Sequence, residues 1–298
     1  MPFYDHDEML GISTARMDEA SQDRLKLLLH GRSGTGKTTL AATIAELGPT
    51  LYVDLPGEYG VKSIVGMKGS ENIDRWRPTS VEQLDDVFWK LQTEPHNYNA
   101  IVIESLSALQ KMFMRYLLGH SETKVQQVTR NPKQADMRTW GRLLELMTDF
   151  TIFWYGLASA ENDRPVHVIM TSQTKPVEEG EGDSRRVVEI GPDVSKGSRS
   201  IVQATPDFIG YCHHERIESD DLTVPDRFQP VVRFGPHDLF VTKFRQSVDA
   251  PRRLPDVMGV KSRVTLPKLI QALGIPSGAP TPKKTTKKTT KTTKEVAA

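Results

Sequence analysis

The chain has 298 residues, with 39 Lys and Arg against 38 Asp and Glu for a net charge of +1, 37% hydrophobic residues and a single cysteine. That length allows one large or two modest domains with a real core, and one cysteine excludes an intramolecular disulfide. The start MPFYDHDEML lacks both the basic and the apolar region of a secretory leader, and the longest apolar-looking stretch, 151–160, is about half a membrane span, so the expectation is a cytoplasmic protein with no membrane partner.

Residues 1–23 are polar and acidic without a sustained period and read as an N-terminal arm. From residue 24 the texture changes. Apolar runs at 25–29, 51–53, 100–103 and 166–170 are separated by helically spaced sets, Leu84, Val87, Phe88 and Leu91, then Trp140, Leu143, Leu144 and Met147, which the spacing assigns to the core. Continuous apolar strands alternating with amphipathic helices predict an α/β fold with a mostly parallel central sheet. Residues 175–200, rich in Gly and charge, read as a long loop or hairpin followed by a short helix. Strand-like runs at 208–214, 230–234 and 239–244, joined by Pro, Gly and Asp, predict an antiparallel meander, and a helix over 266–273 closes the domain 24–274. The adjacent Cys212, His213 and His214 do not make a metal site, because successive strand residues face opposite ways. Residues 275–298 are a Lys/Thr-rich stretch expected to be disordered. Within it, 281–298 holds six lysines and one acid, a local +5 that leaves −4 on the other 280 residues. A mildly acidic body therefore carries a basic tail suited to an anionic partner.

The sharpest signal is Gly31-Arg32-Ser33-Gly34-Thr35-Gly36-Lys37-Thr38, which fits G-x-x-x-x-G-K-[ST] between a predicted strand and helix-forming residues that begin at Thr39. The glycines let successive N–H groups wrap a phosphate, and the helix end adds its partial positive charge. Lys37 is placed for the β- and γ-phosphates of ATP and the Thr38 hydroxyl for Mg²⁺. The second metal-holding carboxylate is read as Glu104, which ends the strand-like run 100–103. Aspartate is the usual residue there. Glutamate moves the carboxylate by roughly 1.5 Å, which bears on the rate of hydrolysis because Mg²⁺ demands near-octahedral geometry.

Residues 101–109, IVIESLSAL, resemble the hydrophobic-Asp-Ser-x-x-Ala-Leu segment of RecA-type recombinases, with Glu in place of Asp and 67 residues after Lys37. The run VIMTSQ, 168–173, resembles the family's strand ending in a γ-phosphate-sensing glutamine, here Gln173. The layout over about 24–250, including Tyr52-Val53-Asp54 and the helix-like DMRTWG at 136–141, resembles the short phage-encoded RecA-like ATPases, nucleotide-binding proteins of AAA type with single-strand annealing or recombination roles. The resemblance implies Glu58 as the water-polarising glutamate, displaced by two positions. It also implies Lys243 and Arg245 as alternating cations that reach the γ-phosphate of a neighbouring subunit.

The same resemblance places DNA contacts in the loop after Gln173, at Arg185, Arg186, Lys196 and Arg199, and in the segment holding Lys124, Arg130, Lys133 and Arg138. It implies single-stranded DNA, a ring or filament of identical subunits and a single-strand binding protein as partners, in the host cytoplasm if the chain is phage-encoded. Neither segment interleaves aromatic residues with its cations, and the first also carries Glu178, Glu179, Glu181 and Asp183. The expected function is ATP binding and hydrolysis on single-stranded DNA in recombination, annealing or repair. The rivals are an ATP-gated DNA-binding module without turnover, a replication or packaging motor, and a small-molecule kinase.

Overall fold

The computed structural model describes residues 23–58, 60–119, 135–217, 227–246, 255–259 and 264–277. Residues 1–22 of the N-terminal arm, Lys124, Arg130, Lys133 and the lysine tail lie outside them. Its strands are β1 (Lys26–Gly31), β2 (Thr50–Asp54), β3 (Ile73–Trp76), β4 (Ala100–Glu104), β5 (His167–Ser172), β6 (Thr174–Glu179), β7 (Arg186–Pro192), β8 (Phe208–Ile217), β9 (Arg227–Arg233), β10 (Lys243–Phe244) and β11 (Val257–Met258). The helices are α1 (Lys37–Ala42, continued by a 3₁₀ segment Thr43–Leu47), α2 (Val81–Thr93), α3 (Leu106–Leu117), α4 (Met137–Gly156), α5 (Lys196–Ala204) and α6 (Leu266–Leu273).

Strands β2, β4 and β5 are buried at every position, as aliphatic runs without polar alternation require when helices cover both faces of a sheet. The order is β11-β9-β8-β1-β5-β4-β2-β3, with β10 also on β8. All pairs from β8 to β3 are parallel, whereas β9 and β10 run antiparallel to β8, and β11 antiparallel to β9. The fold is α/β with a mostly parallel central sheet, as expected. The antiparallel part is no separate layer: β8 extends the parallel sheet beside β1, and β9 and β10 share its other edge.

Side chains alternate between two cores. Leu28, Val53, Ile101, Ile103 and Met170 pack with α2, α3 and α4, while Leu27, Leu29, Tyr52, Val102 and Ile169 pack with α1 and α6. Three long helices start on the capping residues their sequences supply. Ser80, Ser105 and Asp136 accept the N–H of Gln83, Ala108 and Thr139. Phe88, Leu143 and Met147 are buried, but Trp140 is 43% and Leu144 37% exposed, which corrects their assignment to the core. They share a helix face with Met147 and Thr151. Among the described residues, the cover over that face ends before the first turns of α4. No described helix is long and apolar enough to cross a membrane.

Residues 174–192 are a two-stranded antiparallel hairpin, β6 with β7, rather than a loop, and α5 follows as expected.

Candidate active site

The phosphate loop leaves β1 at Gly31, and its conformation depends on Gly31, Gly36 and Gly34, the last with φ +81°. A Cβ on Gly31 would lie 2.2 Å from the Cys212 carbonyl oxygen of β8, so only glycine lets these chains approach. Gly36 has φ +85°, which ordinary residues adopt at a cost, and it turns the chain directly into α1. Lys37 is only 4% exposed and donates to the Gly31 and Arg32 carbonyls, both at 2.8 Å, so its ammonium lies along the loop. Burial lowers its pKa, against the charges of Cys212, Glu104 and Glu58, which raise it.

Glu104 ends β4 and its peptide bond to Ser105 is cis. The Thr38 hydroxyl donates to Glu104 Oε1 and the Tyr52 hydroxyl to Oε2, each at 3.2 Å. Burial, and then the charge of Glu58, push the Glu104 carboxyl up to about 7, although Lys37 and the two hydroxyls act to lower it. Glu58 follows β2 and accepts the Ser105 hydroxyl at 2.6 Å. Ser33, Gly34, Gly36, Lys37, Thr38, Thr39, Glu58, Glu104 and Gln173 line one cleft of about 550 Å³ at the carboxyl edge of the sheet. Arg32 is exposed, and Thr35 is buried and faces a second pocket of about 390 Å³. This pocket shares Gly36 and Thr39 with the cleft and continues over Leu40, Cys212, Pro230, Val232, Met258 and Val264.

A family model described as an AAA domain matches residues 23–246. The chain belongs to the AAA-domain family. Members are P-loop ATPases of the AAA type, and in this AAA domain Ser33, Gly34, Gly36, Lys37, Thr38 and Thr39 line one cleft with Glu58, Glu104 and Gln173, whereas Gly31, Arg32 and Thr35 do not line it. The chain has no match among the curated proteins.

Several contacts of the AAA domain escape sequence reading. Tyr52 and Ser105 hold the two carboxylates, and Lys62 and Ser63 enter the cleft wall from a 3₁₀ turn. A tyrosine inside a strand and a lysine in a turn carry no local pattern; only the pairing of β2 with β4 brings Tyr52 to Glu104. Asp54 is fully buried and paired with both Arg75 and Arg77, beside Glu104 in register.

Other expected residues lie away from the cleft. Lys243 Nζ donates to the Gln203 carbonyl at 3.1 Å and also to that of Ala204, at the C-terminal end of α5. Arg245 is exposed just past β10 and pairs with Asp207 at 3.4 Å. On the hairpin, Arg185 pairs with Glu178 at 2.6 Å, and Arg199 of α5 lies 4.0 Å from Glu189, while Arg186, Lys196 and Arg138 are exposed. Among the described residues no group of three His, Cys, Asp or Glu side chains is placed to hold a metal, and Cys212 is buried with its thiol pushed up to about 12.

Proposed function

We propose that this protein hydrolyses Mg-ATP in a RecA-like cycle on single-stranded DNA, serving recombination, annealing or repair as an oligomer. The observation that carries the ATPase part is the single cleft shared by Lys37, Thr38, Glu58, Glu104 and Gln173. Its size suits a triphosphate, and the adjoining apolar pocket is the proposed seat of the base.

The Thr38 hydroxyl and the Glu104 carboxylate, 3.2 Å apart, form a hard oxygen donor pair of the kind Mg²⁺ selects, with the nucleotide itself supplying further oxygens. When bound, the metal neutralises charge on the β- and γ-phosphate oxygens. Lys37 adds a second positive charge once it leaves the loop carbonyls. Glu58, fixed by Ser105, is the proposed acceptor of the proton from the attacking water, and Gln173 faces the same cleft with an amide able to orient that water.

The DNA part of the proposal is supported by position. The hairpin begins one residue after Gln173, so an element with exposed cations at Arg185 and Arg186 starts at the cleft wall. The decisive experiment titrates single-stranded DNA into ATP hydrolysis by the parent and Lys37→Ala at two salt concentrations. Stimulation in the parent and abolition in the variant are expected. A parent that hydrolyses ATP but neither binds nor responds to DNA at low salt would refute the DNA reading. A parent that binds DNA in an ATP-dependent way without turnover would identify the non-hydrolysing module instead.

A further inference from the structure

His30 is the last β1 residue before the phosphate loop and is fully buried. Its Nε2 lies 2.6 Å from the Val241 carbonyl oxygen and its Nδ1 lies 3.2 Å from the Thr174 hydroxyl. A carbonyl only accepts, so Nε2 carries the ring proton and donates it. Burial, aided by the charge of Lys37, lowers the ring's pKa to about 4 against the opposing Val241 bond, so the ring is neutral and Nδ1 is left as an acceptor.

Thr174 has one hydroxyl proton and two claimants. The Gly191 carbonyl accepts it at 2.9 Å, and His30 Nδ1 is the other acceptor within reach. Donation to Gly191 closes the base of the hairpin upon itself, whereas donation to His30 ties β6 to β1. The second hairpin strand is tied to the same ring by another route. Ile190 donates to the Leu239 carbonyl at 2.7 Å and accepts from Val241 N–H at 2.9 Å, and Val241 is the residue whose carbonyl His30 holds. Both strands of the hairpin thus converge on one imidazole. On its other side, Gly31 follows His30 directly, and the Gly31 carbonyl is held by Lys37.

We propose that His30 is a positioning residue that couples the phosphate loop to the hairpin, the Thr174 hydroxyl being the contact that exchanges between them. The inference rests on the nucleotide reading above. When Lys37 turns from the Gly31 and Arg32 carbonyls to phosphate, the backbone beside His30 loses one of its restraints, the strand pairing remaining, and the balance between the two Thr174 bonds shifts.

Backbone hydrogen exchange over residues 174–192, with and without a non-hydrolysable ATP analogue, tests this in the parent, Thr174→Val and Thr174→Ser. Valine keeps the shape and removes the hydroxyl; serine keeps the hydroxyl. In the parent, saturating analogue should change hairpin exchange by about fivefold, the scale of one net hydrogen bond. Thr174→Val should bind the analogue within about twofold of the parent yet show no such change, and Thr174→Ser should restore it. The valine variant should also lower kcat with KM for ATP little altered. An equal response in Thr174→Val, or normal analogue binding without any hairpin response in the parent, overturns the coupling. Failure of the parent to bind the analogue in a direct titration would instead overturn the nucleotide reading, and the coupling with it.

Discussion

Ser105 donates its hydroxyl proton to Glu58 across 2.6 Å while the same oxygen accepts the Ala108 N–H at 3.3 Å. One side chain therefore starts α3 and fixes the carboxylate proposed to receive the water proton. Ser105→Ala should cost about 1 kcal/mol of stability through the lost cap. It should also lower kcat by about 10²-fold, with KM for ATP nearly unchanged, because Glu58 loses its fixed orientation. Thermal melts and steady-state kinetics check both parts. A stability loss with intact kcat would leave Ser105 a cap and nothing more.

Glu104 yields a pH prediction whose sign follows from burial. Its carboxyl is raised from 4.5 to about 7, so the folded protein retains a proton that the unfolded chain releases. Stability contributed by this group is complete at low pH and is lost as pH rises from the unfolded pKa through the folded one. Glu104→Gln removes that titration while keeping an acceptor for Thr38 or Tyr52. Without nucleotide or Mg²⁺, the variant should be more stable than the parent at pH 8 by on the order of 1–3 kcal/mol, with little difference near pH 4.5. Denaturant melts at the two pH values that differ by a constant amount would contradict this. Hydrolysis by the variant should be lost at both.

Lys243 and Arg245 separate by what each touches inside the chain. Lys243→Ala removes a cation from the C-terminal carbonyls of α5 and should cost about 0.5–1 kcal/mol. Arg245→Ala removes an exposed pair with Asp207 and should change stability by less than about 0.5 kcal/mol. If these cations act on a neighbouring subunit's nucleotide, each variant should still lower kcat by about tenfold or more. Mixing Arg245→Ala with Glu58→Ala should then restore some turnover, since each supplies what the other lacks. No recovery in the mixture, with Arg245→Ala fully active alone, would remove Arg245 from the mechanism.

The lysine-rich stretch 281–298 is proposed to contact DNA phosphates. Its six lysines set the scale: deleting it should flatten the salt dependence of single-stranded DNA binding by up to about 4 in log–log slope. Affinity at low salt should fall in parallel, while ATP hydrolysis without DNA stays unchanged. Superimposable salt curves would make the stretch a bystander.

Which parts of this molecule can be read from sequence depends on how local their cause is. The phosphate loop announces itself because eight consecutive residues fix its turns, its lysine and its helix, and the acid ending β4 follows from one apolar run. The strand order does not. That β8 lies parallel beside β1 depends on pairing between distant segments, including the close approach of Gly31 to Cys212, residues 181 positions apart. Tyr52 and His30 look like ordinary strand residues until pairing brings them to Glu104 and Thr174. Trp140 and Leu144 show the opposite failure: the helical period places them on the buried face, but period says nothing about where along the helix the described residues stop covering that face.

The position of β5 between β1 and β4 has a mechanical consequence. The hairpin grows from the one strand flanked on either side by the phosphate loop's strand and the acid's strand, so its root is the pivot of the sheet's nucleotide edge. Ile190, opposite Pro176, is bonded to Leu239 and Val241, so the strands extend three to four residues, about 10 Å, beyond that anchor. A tilt at that anchor of roughly 10° becomes a sweep of about 2 Å at the tip over such a lever. A displacement too small to see around the phosphates can therefore be read as motion at the far end of the arm.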